Sequence, residues 1–296
     1  QGKSWTISYG TGPAKGFFGR DTVRFGTDPS PLTVPRCTFG QATSIAPYFK
    51  RDVIDGILGL AFQAIAVDNV KPPFVEAIDQ KLVDLPLFTV WLEHEGFKEN
   101  VAGGIYTYGA VDSVNCGPVI GYQPLTSATY FLFKMTSVSF SSYTNSKGWQ
   151  VGKYFIEFII RKFNYTSKKG WQVTRSKLFS SSDNGSSQVV SDTGTSLIAA
   201  PIDVVEKIAT NAGATFDRTT GLFSIDCKAK IADVSLVIGS QTYSIDYRNM
   251  IVQSNGFGMP LLVKLPVICL PGPQWILGDP FIRQFCNIYD VGNKRM

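Results

Sequence analysis

The sequence predicts a mostly β protein built from two related lobes, with a few short helices. Three observations predict it. The 296 residues include 28 Gly, 16 Pro, 21 Phe and 12 Tyr, a mix that suits many short strands joined by tight turns rather than a helical bundle. Short apolar runs of alternating character recur between Gly and Pro punctuation. An internal echo then links the two halves. Asp55-Gly56-Ile57-Leu58-Gly59-Leu60 resembles Trp275-Ile276-Leu277-Gly278-Asp279, each an apolar pair followed by glycine. With 44% hydrophobic and only 17% charged residues, the chain can bury a large core, which argues against disorder.

The elements follow in order. Residues 4–9 alternate, Gly10-Thr11-Gly12-Pro13 turns the chain, and 17–25 returns it, so a β-hairpin with a glycine-rich tip is expected. Prolines open a helix over 72–82, where Phe74, Val75, Ile78 and Leu82 share a face. Strands return at 87–92 and 104–108. A second helix opens at Pro201, carries Ile202, Val205, Ile208 and Ala209 inward, and stops at Gly213. A third, short helix is expected to be capped by Asp279, with Pro280 behind it. One segment breaks the pattern. Residues 143–151 recur 22 residues later as 165–173 with seven of nine positions matched. Residues 152–188 therefore read as an atypical insertion outside the core, too short for a repeat array. It contains the glycosylation sequons Asn164-Tyr165-Thr166 and Asn184-Gly185-Ser186.

Composition excludes several functions. The single histidine, His94, lies between Glu93 and Glu95 and reads as a solvated turn. No site built on two or three histidines can form within the chain, and no CxxC spacing suggests zinc. The net charge of +5 arises within residues 152–190, where seven basic residues face two acidic ones. The rest is balanced, so no nucleic-acid groove is expected. No apolar run reaches membrane-spanning length.

The chemistry concentrates at Val189-Val190-Ser191-Asp192-Thr193-Gly194-Thr195-Ser196-Leu197-Ile198. An apolar strand delivers an aspartate into a turn of small residues, and a second apolar strand leaves it. A carboxylate taken out of water needs hydrogen bonds. Gly194 lets backbone N–H groups approach, and Thr195 can donate its hydroxyl. With the tip Tyr9-Gly10-Thr11-Gly12, the run Asp55 to Phe62, Gly103-Gly104-Ile105, and Ile276-Leu277-Gly278-Asp279-Pro280-Phe281, this motif makes the chain resemble a pepsin-type (A1) aspartic endopeptidase. Its last residues, 281–296, are most similar to nematode members.

The resemblance implies a bilobal acid-protease fold: a first lobe over 1–112 carrying the flap, and a second over 113–296. Asp192 would be catalytic. Tyr9, Gly10, Thr11, Ile57, Gly194 and Thr195 would contact substrate, and Phe49, like Ile57, resembles a pocket residue of the family. Cys227 and Cys269 would form the second-lobe disulfide, which leaves the pairing of Cys37, Cys116 and Cys286 open. No metal or other cofactor is required. The expected protein is a secreted or lysosomal monomer that cuts polypeptides at acid pH, with no nucleic-acid partner. One departure matters, because the family uses two Asp-Thr-Gly turns and this chain has one. In the second half Asp192 precedes Ile276 by 84 residues; the same offset from Ile57 falls upstream of Gln1. The expectation is a first lobe lacking its N-terminal part, and a chain inactive alone. The other reading is a protease-like protein that binds peptides or proteins without cutting them.

Overall fold

A computed structural model describes residues 2–9, 12–26, 31–49, 54–94, 101–142, 152–154, 187–217, 222–226, 233–254, 257–260, 262–264 and 275–296. The first half contributes β1 (Ser4–Tyr9), β2 (Gly12–Phe25), β3 (Leu32–Ile45), α1 (Pro73–Asp79), β4 (Leu87–Leu92) and β5 (Gly104–Tyr108). There follow β6 (Ser127–Ala128), β7 (Phe131–Ser142), β8 (Gly152–Tyr154), β9 (Ser187–Ser191), β10 (Ile198–Ala200), α2 (Ile202–Ala212), β11 (Thr215–Asp217) and β12 (Leu222–Asp226). The remainder is β13 (Val234–Ile238), β14 (Gln241–Ile245), β15 (Ile251–Ser254), β16 (Phe257–Pro260), β17 (Leu262–Lys264), β18 (Trp275–Leu277), α3 (Asp279–Gln284) and β19 (Asn287–Asp290). The chain is therefore mostly strand with a few short helices, as its composition predicts.

Among the described residues the strands form three sheets. β1, β2 and β3 make an antiparallel meander, and thirteen strands of the second half make a large sheet. The third sheet, ordered β19-β4-β5, joins the last strand to two strands of the first half, with Ile288 opposite Thr89. In the first sheet Tyr9 pairs with Gly12, so Gly12 and Pro13, expected in the turn, already belong to β2. Gly12 has φ +126°, and a Cβ there would lie 2.5 Å from that of Ala46, so only glycine fits this bend.

The helices differ from expectation at their ends. α1 stops at Asp79 because Lys81 turns left-handed with φ 58°. The Leu82 N–H then donates to the Ala77 carbonyl, a Schellman closure that leaves Leu82 exposed instead of on the buried face. α2 ends as expected, with Gly213 left-handed at φ 72°. α3 is a correction. Gly278 occupies the cap position and Asp279 is the first helical residue, where its negative charge faces the positive helix end.

Burial follows strand alternation. The larger core packs Trp275, Leu277, Val189 and Ile198 of the central strands against Val204, Val205 and Ile208 of α2. A second core joins the halves, with Phe74 and Phe88 packed on Phe131, Ile282 and Tyr289. Phe88 stacks on Tyr289 at 4.6 Å between ring centroids, a contact of the kind worth about 1 kcal/mol beyond the area it buries.

Both ends of the expected insertion enter the large sheet. Gly152 to Tyr154 pairs with the end of β7, and Ser187 and Gln188 lie in β9. The free hydrogen-bonding groups of β7 account for this difference. Residues 155–186 lie outside the described ones.

Candidate active site

Asp192 sits in the turn between two buried strands, β9 and β10, that flank β18. β9 pairs in parallel with β18, and β18 pairs antiparallel with β10, the strand that leaves the turn. Val189, Ile198, Trp275 and Leu277 are all essentially buried, so hydrophobic packing fixes both sides of the turn. Against this turn a Cβ on Gly278 would lie 1.9 Å from the Thr195 carbonyl oxygen and 2.4 Å from that of Leu197. Any side chain would push the strands apart, which explains why the apolar pair is followed by glycine.

Within the turn, the Asp192 N–H donates to the Leu277 carbonyl at 3.1 Å and the Thr195 N–H to the Asp192 carbonyl at 3.3 Å. The carboxylate is held at both oxygens. The Gly194 N–H reaches Oδ1 at 2.9 Å, and the Thr195 hydroxyl reaches Oδ2 at 2.6 Å. Asp192 remains partly exposed, so it is oriented but still accessible. Behind it, the Asp279 N–H donates to the Thr195 carbonyl at 3.0 Å. Burial raises the pKa of the Asp279 carboxyl; Arg283 opposes the rise, and the charge of Asp192 adds to it.

Sequence reasoning missed a second layer of this site. The Ser191 hydroxyl donates to Asn287 Oδ1 at 2.8 Å and lies 2.8 Å from the Tyr289 hydroxyl. All three residues are buried. Burial pushes the Tyr289 phenol far up, so it stays a donor. β19 thereby ties the turn to the sheet shared with β4. The available signal was a lone serine closing an apolar strand. Tyr106 of β5 was missed as well. Its phenol is raised mainly by burial; a hydrogen bond with the Thr193 side chain lowers it, and the charges of Asp279 and Asp192 raise it.

The other expected site residues are placed less tightly. Tyr9 is 37% exposed and packs edge-on against Phe49 at 5.8 Å. Ile57 is 56% exposed, and among the described residues no strand pairs with 54–60. Leu58, beside it, is 44% exposed, whereas its echo Leu277 in β18 is fully buried. Gly10, Thr11, Cys227 and Cys269 lie outside the described residues. Cys116 and Cys286, whose pairing the sequence left open, form a disulfide, and Cys37 is free and buried. His94 is exposed.

Two carboxylates brace this framework. Asp112 accepts from the backbone and side chain of Asn115 and from the Val114 N–H, and its pKa falls mainly through the Asn115 bonds. Asp290 is fully buried. Burial would raise its carboxyl, but Asn293 and Arg295, bonded at 2.7 to 3.1 Å, outweigh that and lower it. A carboxyl lowered in the folded state stabilises above its unfolded value, about 3.9, and loses that contribution as pH falls through the folded value. Asp290→Asn should therefore cost about 1–3 kcal/mol at pH ~6 and much less at pH ~2.5. Urea unfolding at both pH values checks this, and an equal cost at both would refute the ionic role.

A model of the eukaryotic aspartyl protease family matches residues 1–153 and 153–296. The chain is 46% identical over its whole length to aspartic protease 6 of Caenorhabditis elegans, of which it covers 66%. It is 36% identical over 99% of its length to aspartic protease 2 of Necator americanus, covering 60% of that protein. It is also 28% identical over its whole length to cathepsin D of Dictyostelium discoideum, covering 67% of it. The chain thus spans about three fifths to two thirds of the length of these relatives.

Proposed function

The chain belongs to the eukaryotic aspartyl protease family, and from that premise we propose that the whole protein is an aspartic endopeptidase acting on polypeptides at acid pH. The observation that carries this reading is the Asp192 carboxylate, oriented at both oxygens by Gly194 and Thr195 and still partly open to solvent. One carboxylate cannot hold a water as base and protonate a carbonyl as acid in the same step. The chemistry needs a second carboxylate, which comes from outside these 296 residues. Two such groups in contact share a single proton, because both cannot ionise readily. The ionised member takes a proton from the attacking water as the other donates to the scissile carbonyl oxygen. No metal takes part.

In this proposal Asp192 is one member of the dyad. Tyr9, Gly10 and Thr11 form the flap over the substrate, and Gly194, Thr195 and Ile57 line its path. The protein works as a secreted or lysosomal monomer. A relative named vacuolar protease A, alongside cathepsins D and E, supports this location. The test is cleavage of a denatured protein at acid pH, with and without pepstatin. The longest natural form should cut and be inhibited, and the 296-residue chain alone should not cut. Failure of the longest form to cut at any acid pH would refute the reading and favour a protein that only binds peptides. Cleavage by the 296-residue chain would refute the need for a second aspartate.

A further inference from the structure

Ser191 is the last residue of β9 and directly precedes Asp192. β9 lies in the large sheet and β19 in the third one, so among the described residues no ladder hydrogen bond joins them. Their link runs through side chains. The Asn287 amide nitrogen donates to the Phe285 carbonyl at 2.7 Å, which turns Oδ1 towards Ser191. The Ser191 hydroxyl gives its single proton to that Oδ1. At the 2.8 Å contact between the two hydroxyls, Tyr289 is therefore the donor. The chain runs one way, from Tyr289 through Ser191 and Asn287 to the Phe285 carbonyl, and each hydroxyl in it has an acceptor.

The Tyr289 ring at the head of this chain is clamped. It stacks on Phe88 at 4.6 Å and meets Phe131 edge-on at 4.8 Å, and Tyr289 lies opposite Phe88 in the β19–β4 ladder. Ser191 Oγ is thus tied to a rigid aromatic frame. A buried hydrogen-bond chain gains little stability over apolar side chains of the same shape. What it adds is direction and a fixed distance, because apolar contact is non-directional.

We propose that Tyr289 is a positioning residue for the reaction at Asp192, acting through Ser191, with Asn287 setting the direction of the chain. This rests on the endopeptidase reading above. The phenol fixes the end of β9 against β19 and so sets where the Asp192 carboxylate stands against the attacking water. A misplacement of about 1 Å can cost about 10²-fold in rate, so a fraction of that shift is measurable.

Steady-state kinetics on a peptide substrate at acid pH, with melting temperatures, test this in the longest natural form. Tyr289→Phe keeps the ring and its stacking. Ser191 still donates to Asn287, so no buried donor is orphaned and the melting temperature should change little. We expect kcat to fall about tenfold, with KM within about twofold of the parent. Ser191→Ala orphans the Tyr289 hydroxyl and should lower both kcat and the melting temperature. Ser191→Ala/Tyr289→Phe removes that orphan, so much of the melting temperature should return while kcat stays low. A purely structural role predicts instead that kcat recovers with the melting temperature, and that result would overturn the proposal. So would a Tyr289→Phe variant whose kcat stays within about twofold of the parent, or one that changes KM alone. A parent that does not cut would overturn the endopeptidase reading and this inference with it, whereas a cutting parent with unaffected variants overturns only the inference.

Discussion

Asp192→Asn, introduced into the longest natural form, is expected to lower peptide-bond cleavage by about 10³-fold or more while leaving the fold intact. The amide has the size of the carboxylate. Its oxygen can still accept the Gly194 N–H, and the Thr195 hydroxyl can rotate to accept from the amide nitrogen instead of donating to Oδ2. The close approach of Gly278 to Thr195 and Leu197 and the packing of Val189, Ile198 and Trp275 are untouched. What disappears is the ability to hold a shared proton and release it. Rates on a denatured protein at acid pH, compared with the melting temperatures of both forms, measure the two effects separately. A variant that keeps more than about a hundredth of the parent rate would show that Asp192 has no direct part in the chemistry. A variant that loses its rate only because it unfolds would show a lower melting temperature.

Local signals carried much of this fold. β1, β4 and β5 run over the expected residues because alternating β-branched and aromatic side chains specify a strand within a few positions. Gly213 and the opening prolines likewise mark the helix ends from their own backbone chemistry. The Asp192 turn was legible for a similar reason. A carboxylate, a glycine and a hydroxyl within four residues can satisfy one another without help from elsewhere in the chain.

The contacts that were not legible are long-range. The Ser191 hydroxyl meets Asn287 and Tyr289 nearly a hundred positions away, and nothing in either segment announces the other. The pairing of β19 with β4 joins residues about two hundred positions apart, which local periodicity cannot encode. Leu82 shows a subtler failure. Its spacing fits the face of α1, but a left-handed lysine one residue earlier ends the helix first. Leu58 and Leu277 occupy the same place in one short motif and reach opposite burial, because burial is set by the strands that flank a segment as much as by the segment itself.

The Cys116–Cys286 disulfide is expected to be the largest single contributor to stability outside the cores. It links residues 170 positions apart, and constraining an unfolded loop of that size stabilises by up to about 5 kcal/mol in the chain-entropy description. Its position adds a functional consequence. Cys286 immediately precedes β19, which carries Asn287 and Tyr289 to Ser191. Cys116 follows the turn braced by Asp112. The bond therefore fixes where β19 begins, and through Ser191 it helps hold the Asp192 turn. The double variant Cys116→Ser/Cys286→Ser removes the link without leaving an orphan thiol. We expect it to lose about 2–5 kcal/mol in urea unfolding and to exchange its β19 amides faster than those of β2, which belongs to the separate first sheet. A loss below about 0.5 kcal/mol, the scatter of ordinary surface substitutions, would mean that the pairing of β19 with β4 and the stacking of Phe88 on Tyr289 hold the ends together unaided. Uniform faster exchange across the whole chain would instead show general destabilisation, and the specific link from the disulfide to the Asp192 turn would be wrong.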